Sequence, residues 1–330
     1  MEDENVCDVA IVGAGPGGLA AALALQRAGL DVRVFEQREE FRPAGVAIFI
    51  WPHGLNALKS FDPVSCERVI EAGAVIDNIA IEQLQPGNTE AEELVKIDVA
   101  GWSRRMDLPP QIGITWARLT NALRAGLKPD TVRLAHRLQD LTDEDGEDGV
   151  TLTFEPPRGG GEAPPPVRAR MCVVGADGRN SRVRELAFGA DEKATVNTYA
   201  DPAASEANVY YALSPNPPPG ANGAGSFNEL RFSLCDGSGI SLLDVGRGNL
   251  DIDGKEGGVG GNPAPPGGQL MFGTTRFSEP AMTFETPTAR LGHLESLFEN
   301  TTPLLKAAIA STEPTAVIQT RLYERDGASR

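Results

Sequence analysis

Residues 7–36 read CDVAIVGAGPGGLAAALALQRAGLDVRVFE, and their order decides the fold. Val9 to Val12 is an apolar run of strand character, and Gly13, Gly15 and Gly18 follow it at once in GAGPGG. Leu19 to Arg27 is rich in Ala and Leu, both good helix formers, and Gly29 closes that segment. Val32 to Phe35 reads as a second strand ending on an acid, Glu36. Strand, glycine turn, helix, strand and acid in this order form the dinucleotide-binding fingerprint in its proper context.

Each residue type has a physical reason. Gly13 permits a tight turn off the first strand, Gly15 carries no Cβ to hold a pyrophosphate away, and Gly18 lets the helix pack on the strand. Ala14, Pro16 and Gly17 complete the loop, and the helix start offers free amides and partial positive charge to phosphate. Glu36 lies 18 residues beyond Gly18, near the spacing of about 20 for a ribose-binding acid. Gln37 and Arg38 come next; Arg38 and Arg42 face either phosphate or solvent.

The 330 residues are enough for two domains at about 100–200 residues each. A net charge of −16 argues against nucleic acid or an anionic membrane as partner. No apolar run reaches the roughly 18 residues of a membrane span, and the acidic start enters the first strand without room for a signal or transit peptide, so a cytoplasmic location is expected. Cys7, Cys66, Cys172 and Cys235 lie far apart without zinc-type spacing, so no metal site and a reducing interior are expected; Cys7 and Cys172 read as buried thiols. The histidines, His53, His136 and His293, are scattered: His136 on a strand-like segment and His293 on a helix suit packing or surface roles. No catalytic residue is assigned, and oligomeric state is not legible.

Further along, Pro52 to Leu58 suggests a short helix, and 78–98 alternates as a hairpin would. Gly45-Val46-Ala47-Ile48 reads as backbone that can approach a flat ring. Trp116, Leu119 and Leu123 share a helix face; two strands joined by an acidic turn follow, and PPRGGGEAPPP at 156–166 must be a surface loop. The run Met171–Val174 leads into GADGRNSRVR, where Asp177, Ser181 and Arg184 suit either a nucleotide ribose or an Asp-Gly turn with a capping serine. Beyond 190, strand-like runs alternate with Gly/Pro loops at 215–225 and 254–268, before two helical runs and a last strand.

Taken together, GAGPGG, Glu36, Gly45-Val46-Ala47-Ile48, Trp116 with Leu119 and Leu123, and GADGRNSRVR resemble the class A FAD-dependent monooxygenases of the p-hydroxybenzoate hydroxylase fold. Members similar to salicylate hydroxylase and 2,6-dihydroxypyridine hydroxylase are nearest in pattern. The resemblance holds over 7–60 and 112–186 and is diffuse over 190–330. It implies an α/β protein: a Rossmann-like FAD domain from 1–75 and 98–190, a mixed-sheet substrate domain from 76–97 and 191–325, and a tail at 326–330.

The resemblance also implies roles. Gly13, Gly15 and Gly18 would hold the FAD pyrophosphate and Glu36 the adenosine ribose. Ala47 and Ile48 would lie near the isoalloxazine, Trp116 beside the cofactor, Leu138 against the adenine through its backbone, and Asp177 in a motif serving FAD binding and reduction. NADPH or NADH would reduce the flavin, and O2 would give a C4a-hydroperoxide that passes one oxygen to a small aromatic substrate. The alternatives are a reductase or dehydrogenase of the same fold, or a non-catalytic FAD-binding protein. One motif departs from the pattern: no Gly-Asp dipeptide occurs in this sequence, so the chain is expected to stop before the segment that would hold the flavin ribityl. On that basis Leu19–Ala22 and Val173-Val174 are expected to lack a covering layer.

Overall fold

The structure is a computed structural model and describes residues 5–41, 47–84, 91–143, 149–189, 208–214, 229–235, 238–247, 249–250, 256–257, 268–276, 284–299 and 301–321. The first half runs β1 (Val6–Val12), α1 (Pro16–Arg27), β2 (Val32–Phe35), β3 (Ala47–Ile50), α2 (Pro52–Phe61), α3 (Pro63–Ala72), β4 (Ala74–Ile76), β5 (Asn78–Leu84), β6 (Ala91–Asp98), α4 (Val99–Arg105), β7 (Gln111–Thr115) and α5 (Trp116–Arg124). The second half runs β8 (Val132–Arg133), β9 (Leu138–Asp143), β10 (Val150–Phe154), β11 (Val167–Gly175), α6 (Arg182–Phe188), β12 (Asn208–Ser214), β13 (Glu229–Cys235), β14 (Ser238–Arg247), β15 (Asn249–Leu250), β16 (Glu256–Gly257), β17 (Gly268–Arg276), α7 (Pro287–Leu297), α8 (Pro303–Ala310) and β18 (Ile318–Arg321).

The strands form a six-stranded sheet in the order β8-β2-β1-β11-β10-β9, a three-stranded sheet β3-β7-β4, a seven-stranded sheet β18-β12-β17-β14-β13-β5-β6 and a small β15-β16 ladder. In the first, β1 lies parallel between β2 and β11, and its last residue, Val12, stands opposite both Phe35 and Gly175. The ends of three parallel strands therefore open onto one place, where open α/β sheets bind ligands.

Apolar patterning explains the layers. Leu19, Ala22 and Leu23 of α1 are buried with Leu55, Leu58, Ile112, Ile114, Leu119 and Leu123, closing one face of the six-stranded sheet. Each fully buried Leu or Ile contributes about 1.5–3 kcal/mol, so this layer is a main stabiliser of the unit. The opposite face packs Cys7, Ala10, Val12 and Phe35 against Leu138, Leu152 and Phe154. Strand β7 alternates between two cores: Ile112 and Ile114 turn toward the helices, whereas the sheet's other face, including Ile76 and Ala47, packs on Leu230, Leu243 and Val245 of the seven-stranded sheet. The far side of that sheet is closed by Leu291, Leu294, Leu305 and Ile309 of α7 and α8. Buried Arg118 of α5 crosses between layers, donating to the carbonyls of Ala72 at 3.2 Å and Val245 at 2.8 Å, which satisfies part of a guanidinium that burial would otherwise penalise.

Several expectations hold in detail. The 78–98 hairpin is β5–β6, the two strands before 156 are β9 and β10, and the 156–166 stretch is an exposed loop apart from part-buried positions. Helix α1 begins at Pro16, earlier than Leu19, because proline suits the first helical turn. Helix α2 runs on to Phe61, where Asp62 stops it and caps α3 by accepting from the Ser65 N–H at 3.2 Å.

Three expectations are corrected. Cys172 is exposed, because β10 pairs with β11 only as far as Ala169 and leaves the next residues uncovered; Met171 beside it is 63% exposed. Leu19 and Ala22 are fully buried, because α2 and α5 cover them, while Val173 and Val174 are half-buried. His136 lies between β8 and β9, outside either strand. Residues 45–46, the acidic turn at 144–148, the 215–225 loop and most of 254–268 lie outside the described residues.

Candidate functional site

The glycine turn sits where β1 ends. Gly13 has φ +106°, a left-handed conformation that L side chains rarely adopt, and its N–H donates to the Phe35 carbonyl at 2.8 Å. A Cβ on Gly13 would collide with the Ala176 carbonyl and come within 2.9 Å of the Asp177 Cα. The turns after β1 and β11 thus abut, and the Ala176 N–H donating to the Val12 carbonyl at 2.8 Å joins them. A Cβ on Gly18 would strike the Gly13 carbonyl, so this glycine serves close helix packing. Among the described residues, a Cβ on Gly17 would meet nothing within 4 Å and one on Gly15 would meet the Trp116 indole at 3.8 Å.

Gly15 stands at the N-cap of α1 and Pro16 opens the helix, with no side-chain cap and no acid in its first turn. Among the described residues no side chain accepts from its first amides, at the end that carries about half a positive charge. Glu36 is drawn to this turn: one carboxylate oxygen accepts from the Ala14 N–H and the other from the Arg38 N–H, each at 3.0 Å. Gln37 and Arg38 are exposed.

A second loop is tied to the same acid. The Glu36 N–H donates to the Arg133 carbonyl at 2.9 Å, the His136 N–H to the Glu36 carbonyl at 2.8 Å, and the Ala135 N–H to the Arg38 carbonyl at 2.8 Å. Ala135 takes φ +57° to do so. Leu138 follows, its side chain buried against Phe35 and Val12 at the start of β9.

The Asp177 carboxylate is engaged by the helix that follows it. One carboxylate oxygen accepts from the Ser181 hydroxyl at 2.6 Å; the other accepts from the N–H groups of Arg182 at 2.6 Å and Val183 at 3.1 Å. Ser181 accepts in turn from the Arg184 N–H at 3.0 Å. The acid lies beside the glycine turn through its backbone, and its carboxylate caps α6.

Toward the other end, Ala47 pairs with Thr115, whose hydroxyl caps α5 just before Trp116. Trp116 is 39% exposed and leans on Gly15, linking the glycine turn to the three-stranded sheet. The side chains of Ala47 and Ile48 point into the two cores on either side of that sheet, so only their backbone is available to a flat ring. The structure therefore gathers Gly13–Gly18, Glu36, Arg38, Leu138 and Asp177 around the strand ends, with Trp116, Ala47 and Ile48 leading away from them.

Sequence reasoning missed Arg118 and the loop bearing His136. A cation in an otherwise apolar α5 stripe was the available signal for Arg118; nothing local marks the His136 tether. Burial pushes the Cys7 thiol up to about 11, which leaves it protonated and unreactive at neutral pH. Among the described residues no group of three or more His, Cys, Asp or Glu side chains could hold a metal, and no helix is long and apolar enough to cross a membrane.

Residues 6–215 match the family described as FAD binding domain. The chain belongs to that family. The FAD-dependent urate hydroxylase of Klebsiella pneumoniae is 27% identical over 180 residues, covering 54% of this chain and 42% of the relative. The 6-hydroxynicotinate 3-monooxygenase of Bordetella bronchiseptica is 32% identical over 188 residues, covering 56% of this chain and 44% of the relative. The matches thus span less than half the length of these relatives. Klebsiella pneumoniae HpxO, solved with FAD and uric acid, superposes with a TM-score of 0.70 at 20% identity, covering 98% of this chain and 69% of that one. The fold is that of class A flavin monooxygenases, and FAD is the cofactor of the family.

Proposed function

We propose that this protein is an FAD-dependent monooxygenase that uses NADPH or NADH to insert one oxygen of O2 into a small, electron-rich aromatic substrate. The observation that carries the reading is the uncapped start of α1 beneath a collision-locked glycine turn, with Glu36 tethered beside it. The relatives, named for hydroxylation of urate and 6-hydroxynicotinate, support small nitrogen-containing rings as the substrate class.

The residues fit FAD. Gly15, Pro16, Gly17 and Gly18 would receive the pyrophosphate, because among the described residues nothing fills the space at Gly17 and no side chain caps α1. Gly13 would keep the turn tight, and Ala14 would position Glu36, whose carboxylate would accept from ribose hydroxyls while keeping its backbone partners. Gln37 and Arg38 would border the adenosine, Leu138 would offer it backbone, and Asp177 would act indirectly, by fixing the turn that abuts Gly13. Trp116 would wall the cofactor between pyrophosphate and ring, and Ala47 and Ile48 would present backbone to the ring. Bound there, the flavin supplies electron transfer from the nicotinamide and activation of O2. The chain's own part is orientation and exclusion of water at the seam between the three-stranded and seven-stranded sheets. The proposed division assigns 1–75 and 98–190 to the FAD domain and 76–97 and 191–325 to the substrate domain.

The test is direct. Purified protein equilibrated with FAD and passed through a desalting column should retain flavin absorbance. NADPH or NADH consumption should then rise on adding hydroxylated pyridines or purines, with a hydroxylated product detected by mass spectrometry. Retained flavin with reduction but no oxygenated product would favour a reductase; protein that retains none would overturn the reading.

A further inference from the structure

Three rows of side chains cross β13, β5 and β6 on the face of the seven-stranded sheet that meets the three-stranded sheet. Opposed residues share a face, and each row lies about 7 Å beyond the last. Leu230, Ile79 and Ile97 form the first row; they pack with Ala47 and Ile76, and Val99 of α4 belongs to the same core. Phe232, Ile81 and Val95 form the second row, and Leu234, Gln83 and Glu92 the third. There the cover ends: Phe232, Val95 and Leu234 are exposed. Because Val99 packs with the first row, α4 stands on this same face, beside the uncovered rows.

Helix α4 turns a second apolar set outward. Val99, Gly101 and Ser103 are buried, and Asp98 fixes the helix start by accepting from the Gly101 N–H at 2.6 Å. Trp102, Arg105 and Met106 are exposed and lie three and four positions apart, so they form one stripe; the Met106 N–H donates to the Trp102 carbonyl at 3.0 Å. Across the five apolar side chains of the two surfaces, exposure runs from 38% at Phe232 to 69% at Met106, so neither surface is covered within one copy. Trp, Phe, Met and Arg are the side chains that interface cores favour. Among the described residues, neither Arg105 nor Glu92 makes an ion pair. We propose that the α4 stripe of one copy docks on the uncovered rows of a second copy about a two-fold axis. Trp102 and Met106 then cover Phe232, Leu234 and Val95, and Arg105 pairs with Glu92. The two surfaces match in polarity and charge and belong to one chain, so a two-fold makes the contact twice and closes the pair. The apolar centre holds the dimer, and the Arg105–Glu92 pair at its rim sets the register.

Sedimentation equilibrium of the full chain over a range of concentrations reads the assembly. Wild type should pass from one to two chain masses with no larger species, because a two-fold contact closes. Trp102→Asp puts a carboxylate into the apolar centre of both contacts and should weaken the dimer by more than about tenfold. Glu92→Arg and Arg105→Glu should each weaken it by about tenfold, since each sets like charges face to face twice. The double variant E92R/R105E restores opposite charges and should recover most of the wild-type affinity, which a general surface effect would not do. The substituted side chains are exposed, and circular dichroism checks that each variant folds; Met106→Asp serves in place of Trp102→Asp should the latter unfold. Wild type that stays monomeric at every concentration overturns the proposal, whatever else meets this face. A dimer indifferent to the Trp102 and Met106 substitutions places the contact elsewhere and overturns it equally. A double swap no better than the single reversals overturns the Arg105–Glu92 pairing and the register built on it.

Discussion

Two strand–turn–helix units stand side by side in this molecule, and they treat their helix starts in opposite ways. β1 and β11 are parallel neighbours, with Val12 opposite Gly175, and each runs through a glycine-bearing turn into a helix. In the second unit Asp177 and Ser181 take up the amides of Arg182, Val183 and Arg184. In the first, GAGPGG offers no polar side chain and α1 starts uncapped. A missing cap costs about 0.5–2 kcal/mol. The apolar face of α1 offsets that cost through buried Leu19, Ala22 and Leu23, whereas α6 has no fully buried residue and depends on its cap. A helix that can spare its cap is one that can give its amides to a ligand.

The sharpest way to break this comparison is at the contact between the two turns. Gly13→Ala puts a Cβ into the Ala176 carbonyl at a φ of +106°, and should destabilise the protein by about 3 kcal/mol or more. Urea unfolding measures it; a wild-type midpoint would mean the turns do not abut. Next comes Glu36→Ala, which should weaken FAD binding by about 1.5–3 kcal/mol, the worth of a hydrogen bond to a charged group. Fluorescence titration of FAD into both proteins at equal salt decides, and equal dissociation constants would remove the acid from the site.

Asp177→Ala should act on stability more than on binding. Loss of the α6 cap predicts about 1–2 kcal/mol in thermal or urea unfolding, with FAD affinity reduced less than by Glu36→Ala. A larger binding loss than at Glu36 would reverse the roles given to the two acids. The smallest effect belongs to Gly17→Ala: the position is helical with open space around it, so stability should rise by up to about 1 kcal/mol. If the space at Gly17 is where phosphate sits, the same substitution should weaken FAD binding while the apo protein gains stability, and the two readouts together sharpen the contrast.

Much of the α/β unit was legible because its signals are local. Glycine spacing, the Ala/Leu run and an acid at the strand end fix β1, α1 and β2 within 30 residues, and the 78–98 hairpin followed from simple alternation. Positions that depend on how far a distant strand extends were not legible. Cys172 sits in an apolar run like any buried strand, but β10 stops pairing at Ala169 and leaves it open. Leu19 and Ala22 needed a cover that α2 and α5 supply from other parts of the chain.

By itself the sequence determined the βαβ unit and the family to which it belongs, because φ-permissive glycines, periodicity and charge spacing act over one turn or one strand. Only the tertiary structure decided how the polar groups are used. Asp177 could have faced a ribose or a helix, and its carboxylate is held by α6; His136 could have been a surface residue, and the β8–β9 loop brings it to Glu36. A hydrogen bond is directional and short, so its partner is set by which elements meet, and that information is spread over the whole chain.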